Sequence, residues 1–298
     1  VKAAIVADTH LRVKGPPSRR GDYREQILAK LEYSLSYAEE RGAIWVHLGD
    51  VFHFKNPSRT PVSLILEMYE LFARFSCPKY VIFGNHDMQT QGLRSVRSQP
   101  LGLLVAVGAL NHVEEIELEG IKLRFLDYEV SPGQFLEYVT HLDGDVLFCH
   151  QMIKDVKQSE EDIAYSELAS GGFSLVFFGH THASAELRKV GSTLVVRVPS
   201  MARASIPTED RGLRPSFLYW DGDQISEVIP PHVPSEDLFL FEEYEIKKEV
   251  RSEMEDFLEA AHGLVLKPAS LVGAVLELRD SLDKATYDML MEYLGGLV

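Results

Sequence analysis

The sequence predicts an α/β fold with a mixed sheet system and a small C-terminal α/β appendage. Short β-branched or aromatic runs recur along the chain and stop at polar clusters, as buried strands do. Between the first three runs the apolar residues fall three and four apart, the spacing of a helix with one buried face. A proline-rich break at residues 230–234 then separates a main domain, 1–230, from a C-terminal piece, 231–298.

Residues 3–7 are the first apolar run, followed by helical spacing of Ile27, Leu28, Leu31, Leu35 and Ala38. Residues 43–46 are the second, followed by Leu64, Ile65, Met68, Leu71 and Phe72, and residues 80–83 are the third. Strand, helix, strand alternation implies helices packed on a sheet. Residues 113–130 alternate apolar and polar around Glu119-Gly120, a hairpin signal. Residues 145–148 and 174–178 read as further buried strands, and 194–198 and 217–220 add more, so the sheet system is mixed. Beyond the proline break, residues 238–246, 248–261, 272–278 and 284–294 read as strand, helix, strand and helix. That piece is too small to be very stable alone, so it is expected to pack on the main domain.

Of 298 residues, 45% are hydrophobic and 25% charged, which excludes a disordered chain, collagen or a coiled-coil rod. The longest apolar stretch, residues 101–110, is about half of the ~20 residues that span a bilayer. No charged-then-apolar leader stands at the start. Cys77 and Cys149 allow at most one disulfide, the usage of a reducing compartment, so a cytoplasmic location is expected. The net charge of -15 weighs against unaided binding of polyanions. Much of it lies in residues 235–261, where ten acids face three bases. By contrast, Arg12, Lys14, Arg19, Arg20 and Arg24 face only Asp22 around Gly15-Pro16-Pro17. This basic loop makes Arg12, Arg19 and Arg20 candidate phosphate contacts, with Arg94, Arg97 and Arg203 at lower weight.

Five of the apolar runs end in residues able to bind a metal: Asp8-Thr9-His10, Gly49-Asp50, Gly84-Asn85-His86-Asp87, His150 and Gly179-His180-Thr181-His182. Ligands of α/β folds sit at the carboxyl edge of the sheet, where these endings converge. Each motif alone is weak; together they are strong, because five strands ending by accident in unpaired polar groups would cost a few kcal/mol each. Seven candidates of carboxylate, amide and imidazole type exceed one tetrahedral site and suit two divalent cations that share a carboxylate. Asp50 is the natural bridge. Asp8, His10 and one histidine of the last motif would hold one ion; Asn85, His150 and the other histidine would hold the second. Oxygen and imidazole ligands without thiolate favour Mn2+, Fe or Zn2+. Cys149 is expected to face the core. His47, His112, His141, His232 and His262 are given structural or solvated roles.

These motifs, in this order, resemble those of the calcineurin-like metallophosphoesterase superfamily over residues 1–230. Gly49-Asp50-Val51-Phe52-His53, then Pro57-Ser58 and a helix, then Gly84-Asn85-His86-Asp87, are similar more narrowly to SbcD-type nucleases of double-strand-break repair, phage versions included. The resemblance implies a four-layered β-sandwich flanked by helices, with a C-terminal cap-like domain. It implies metal ligation by Asp8, His10, Asp50, Asn85, His150, His180 and His182, with His182 on the first ion and His180 on the second. It places His86 and His53 at the scissile phosphate, His86 as proton donor, and leaves Asp87 as a candidate orienter of His86. Arg12, Arg19 and Arg20 become candidate DNA contacts. The implied activity is Mn2+-dependent hydrolysis of DNA, as exonuclease and endonuclease. The implied partners are DNA, an SbcC-type coiled-coil ATPase and a second copy of the chain.

A phosphodiester is anionic with a poor leaving group, so two cations are needed to neutralise charge and supply a nucleophile near neutral pH. A histidine that protonates the departing oxygen adds about 100- to 10,000-fold in rate. Two rival readings stand beside the nuclease: a phosphodiesterase or phosphatase acting on nucleotides or small phosphoesters, which the negative charge favours, and a non-catalytic interaction module on the same fold.

Overall fold

In a computed structural model of the chain, the residues described are 1–88, 98–160, 162–168, 171–203, 214–241, 284 and 287. The chain divides into two compact units, Val1–Phe239 and Leu240–Val298. The expected elements at 248–261, 272–278 and 284–294 lie outside the described residues, apart from Lys284 and Tyr287, both helical. Arg94 and Arg97 lie outside them too. Residues 238–246, expected as a strand, are preceded by a helical turn, Ser235–Leu238, that takes in the first of them. Pro234 opens that turn and Glu236 and Asp237 fill it, the acidic residues suiting a helix start.

The first sheet contains β1 (Ala3–Val6), β2 (Ile44–His47), β3 (Lys79–Val81), β12 (Phe217–Trp220) and β13 (Ile225–Val228), in the order β13-β12-β1-β2-β3. β1, β2 and β3 are parallel, with Ile5 opposite Val46 and Val46 opposite Tyr80. The second sheet has the order β10-β11-β9-β6-β5-β4, from β4 (Glu115–Leu118), β5 (Ile121–Leu126), β6 (Val146–His150), β9 (Leu175–Gly179), β10 (Glu186–Val190) and β11 (Thr193–Arg197). A further parallel pair, β7 (Ile153–Lys154) with β8 (Ile163–Ala164), stands apart. β11, β9, β6 and β5 are parallel. The hairpin expected at Glu119-Gly120 joins β4 to β5, with both turn residues at positive φ, 54° and 75°, as a tight hairpin turn requires.

Alternation along the strands builds four layers. Ala3, Ile5 and Ala7 of the first sheet meet Phe148, Phe177 and Val196 of the second in one buried core. On the other side of the first sheet, Ala4, Val6 and Trp45 pack on α1 (Tyr23–Glu40) and α2 (Val62–Ala73). Outside the second sheet, Leu147, Cys149 and Val176 pack on Phe135 and Val139 of the helix Pro132–His141. Because side chains alternate faces, each strand serves both layers. α1 starts where the Asp22 side chain accepts from the Glu25 amide at 3.0 Å and buries Ile27, Leu31, Leu35 and Ala38, the expected stripe. Among the described residues no helix is long and apolar enough to cross a membrane. The apolar stretch at 101–110 is a short helix, Pro100–Ala106, with Leu101 and Leu104 in the core.

Candidate metal centre

Backbone geometry aims the ligand candidates. Asp8, His10 and Asp50 adopt φ of 53°, 42° and 56°, and His180 adopts 93°, a region that costs a non-glycine residue about 1–2 kcal/mol. Such strain persists where surrounding bonds enforce it. Here the loops after β1 and β2 lock together: the Asp8 amide donates to Gly49 O at 3.2 Å, His10 to Asp50 O at 2.9 Å and Leu11 to Val51 O at 2.8 Å. The third loop must approach closely. A Cβ on Gly84 would collide with the Asp50 carboxylate, and one on Gly49, at φ 83°, would lie 2.8 Å from His150 Nδ1.

Two groups of ligand atoms result, Asp8 with His10 and His182, and Asp50 with His150 and His180. In the first, His10 Nε2 and His182 Nε2 are 2.9 Å apart and His182 Nε2 is 3.5 Å from Asp8 Oδ1. In the second, His150 Nε2 lies 3.1 Å from His180 Nδ1 and 3.3 Å from Asn85 Oδ1. The groups meet at Asp50 Oδ2, 3.5 Å from both His10 Nε2 and His150 Nε2. The other oxygen, Oδ1, accepts from the His86 amide at 2.8 Å, which orients the carboxylate. Asp8 is held likewise: its Oδ2 accepts from the His180 amide at 3.1 Å, while Oδ1 is buried with no hydrogen bond.

That donor set fits two divalent cations. A buried carboxylate oxygen without a donor and imidazole nitrogens facing one another are costly unless a cation takes their lone pairs. His150 Nδ1 lies 2.6 Å from Leu48 O; the carbonyl can only accept, so Nδ1 carries the hydrogen and Nε2 is left to ligate. Although burial opposes its charge, the Asp50 carboxylate pushes His150 up to about 9. Burial pushes His10 down to about 3 and His180 to about 4, which keeps them neutral, as ligands must be. Against burial, the His182 imidazole, 3.5 Å from Oδ1, holds Asp8 at about 2.

His53 and His86 stand beside the first group, and the ligand-capable atoms of His10, His53 and His86 lie within 4.8 Å of one another. The two rings stack at 5.3 Å. His86 Nδ1 lies 2.8 Å from the His53 carbonyl, so it donates there and Nε2 is the atom available to a substrate. Burial, aided by the Arg12 charge, pushes His53 down to about 4.

Two expectations are corrected. Asp87 does not touch the His86 ring; its carboxylate, 2% exposed, accepts from the amides of Asp50 at 2.6 Å, Gly84 at 3.0 Å, Val51 at 3.3 Å and Phe52 at 3.4 Å. It ties the second loop to the third. Burial and the Asp50 charge push it up to about 8, against those donors. Arg19, expected on DNA, is buried; it donates to the carbonyls of Ala202 at 2.8 Å and Arg203 at 2.9 Å and to Gln26 Oε1, and lies over Tyr23, 4.6 Å from the ring centroid. At 8% exposure this guanidinium, its unpartnered Nε included, lies under the surface that DNA would meet. Arg24 is paired with Glu67 at 2.9 Å. Arg20 is exposed, and Arg12 is half-buried near His53.

Further side chains support the site. Tyr23 Oη donates to His10 O at 3.1 Å and Ser200 Oγ to Asp8 O at 3.0 Å. Lys30, fully buried, donates to Met201 O, whose residue's amide bonds Ala7 O at 3.0 Å. Thr9 Oγ1 donates to Val51 O and lies 3.0 Å from His47 Nε2, so His47, given a structural role, supports the first loop. Tyr128 lays its ring 5.6 Å from His180 and 6.1 Å from His150. Apart from Thr9, which stands between Asp8 and His10, none of these lies in a ligand motif.

The chain is 27% identical over 207 residues to the DNA double-strand break repair protein Mre11 of Archaeoglobus fulgidus, a match covering 61% of this chain and 46% of that protein. The chain thus spans about half the length of that relative. A dimetal phosphatase from Danio rerio has a similar fold, with 13% identity, coverage of 78% of this chain and 96% of that one, and a TM-score of 0.50. An archaeal phosphodiesterase aligns at 15% identity over 77% and 99%, with a TM-score of 0.42. The profile of the calcineurin-like phosphoesterases matches residues 1–184, which carry every ligand candidate from Asp8 to His182. The chain therefore belongs to the calcineurin-like phosphoesterase family, metal-dependent hydrolases of phosphoesters.

Proposed function

We propose that this chain hydrolyses phosphodiester bonds of DNA, as a Mn2+-dependent double-strand exonuclease and single-strand endonuclease acting in repair, recombination or replication. The observation that carries the hydrolytic part is the meeting of two ligand groups at one oxygen, Asp50 Oδ2, 3.5 Å from a nitrogen of each. Bound divalent ions supply charge neutralisation and a nucleophile at neutral pH. Asp8, His10 and His182 would hold one, Asn85, His150 and His180 the other, and Asp50, which faces both groups, would serve each. His86, its ring fixed through Nδ1 on the His53 carbonyl, presents Nε2 to the departing oxygen and, when it carries a proton on both nitrogens, transfers the Nε2 proton there and is left as the neutral Nδ1–H ring. His53, kept neutral by burial, offers a hydrogen bond to the phosphate. DNA as substrate is supported by the likeness to a double-strand break repair protein and by the Val51-Phe52-His53 sequence after Asp50. Arg12, beside His53, and exposed Arg20 are the candidate DNA contacts.

The resemblance to SbcD-type nucleases adds an SbcC-type ATPase and a homodimer as proposed partners, and Cys77 and Cys149, both buried and free, suit a reducing cytoplasm. The net charge of -15 favours a second reading, hydrolysis of nucleotides or small phosphoesters. End-labelled duplex and single-stranded DNA, incubated with Mn2+, Mg2+ or chelator, separates the two. Metal-dependent laddering that disappears in His86→Ala, with its metal content intact, is the expected result. Intact DNA alongside hydrolysed nucleotides would establish the second reading instead.

A further inference from the structure

The helix Pro132–His141 and the end of β5 enclose a cavity of about 500 Å3, well within the range of ligand pockets. It adjoins the metal centre. Tyr128, whose ring rests beside those of His180 and His150, is one wall, and Met88, just after Asn85-His86-Asp87, is another part of the lining. β5 and β6 run parallel with Leu126 opposite Cys149, so residues 127–129 and His150 leave the sheet at the same edge. The cavity is therefore next along the edge from the second ligand group.

Its chemistry is that of a flat, uncharged guest. Leu126 and Leu142, both part-exposed, supply apolar surface, and Tyr138, 52% exposed, supplies an aromatic ring on the helix. Phosphate would be unwelcome. Glu114, Asp127 and Glu129 are in the lining, while its one arginine, Arg124, is engaged by Glu115 and Asp143 and His112 by Asp127 at 3.0 Å. A pocket that rejects phosphate beside a centre built for phosphodiesters suits the neighbouring base.

We infer that this cavity is a nucleoside subsite, which takes the base adjoining the scissile phosphate against the rings of Tyr128 and Tyr138. The inference rests on the phosphodiesterase reading above and gives it a determinant of substrate choice. Aromatic walls hold bases of any sequence through stacking. A substrate with a base would thus be positioned from the second-ion side, while small phosphoesters without one would gain nothing from the cavity.

The test is calorimetric titration of adenosine, which carries a base and no phosphate, into the full chain supplied with Mn2+. Tyr138→Ala removes one wall and Leu142→Trp fills the space; neither residue is a ligand candidate. Adenosine is expected to bind the unaltered chain and to bind each variant about ten-fold more weakly, with ribose binding none of them. Hydrolysis of methyl 4-nitrophenyl phosphate, which has no base, is expected to be the same in all three. Thermal melts verify folding, and if Leu142→Trp is unstable the exposed Tyr138 position carries the result alone. Adenosine that fails to bind, or binds Tyr138→Ala as well as the unaltered chain, overturns the subsite whatever is found with DNA. Tyr138-dependent binding without hydrolysis of any phosphodiester would reject the catalytic reading and leave the base site standing.

Discussion

Asp50 is the residue on which both ligand groups depend, so Asp50→Ala is expected to lose both ions, read as metal per chain by mass spectrometry, while His86→Ala keeps them. His150 adds a proton-linked effect. Its folded, metal-free value is raised to about 9 by the Asp50 carboxylate, and it must be neutral to ligate, so metal displaces a proton below that pH. Affinity should therefore rise with pH up to about 9, and titrations in buffers of different ionisation enthalpy should register proton release; pH-independent binding would contradict this. Among the arginines, Arg19→Ala leaves the carbonyls of Ala202 and Arg203 without their donor and is expected to lower the unfolding free energy by about 1–3 kcal/mol. Arg12→Ala should leave urea denaturation unchanged and weaken DNA binding, reducing its salt slope by about 1.

At the scale of elements, the sheet endings hold one another, and the glycines among them have no room to spare. Gly84→Ala would drive a methyl group into the Asp50 carboxylate, so metal content should fall although no ligand is altered; circular dichroism and metal analysis together test this. The strands and α1 were legible because their apolar periodicity reports burial directly: Ile27, Leu31, Leu35 and Ala38 recur on one face. The ligand candidates were legible because each follows a buried strand. Asp87 and Arg19 were misread for a common reason. A charged residue next to a motif looks functional in sequence, whereas the fold turned these two inward, one onto four backbone amides and the other onto two carbonyls. Tyr128 was missed because it follows a strand with no ligand of its own and meets His150 only through the parallel pairing of β5 with β6. β10 and β13, edge strands with two or more exposed positions each, lacked an apolar run to announce them.

Across the whole molecule, the site staples two sheets. Asp8, His10, Asp50 and Asn85 come from loops of the first sheet and His150, His180 and His182 from the second, so ions bound there join the halves of the sandwich. Divalent cations at about 100 times their dissociation constant should raise stability by about 2.7 kcal/mol per site, and chelation should lower the melting temperature of the unaltered chain but not that of Asp50→Ala. Strand order has a different consequence, for the chain as it is made. β1 precedes every other described strand, yet one of its two neighbours is β12, with Ala3 paired to Trp220. A ribosome must complete nearly the whole sandwich before that edge of β1 is covered, and until then the open edge invites wrong pairing. The ligand candidates run from Asp8 to His182, so a half-made chain carries only part of the set, and the last of them is made before the strand that covers β1.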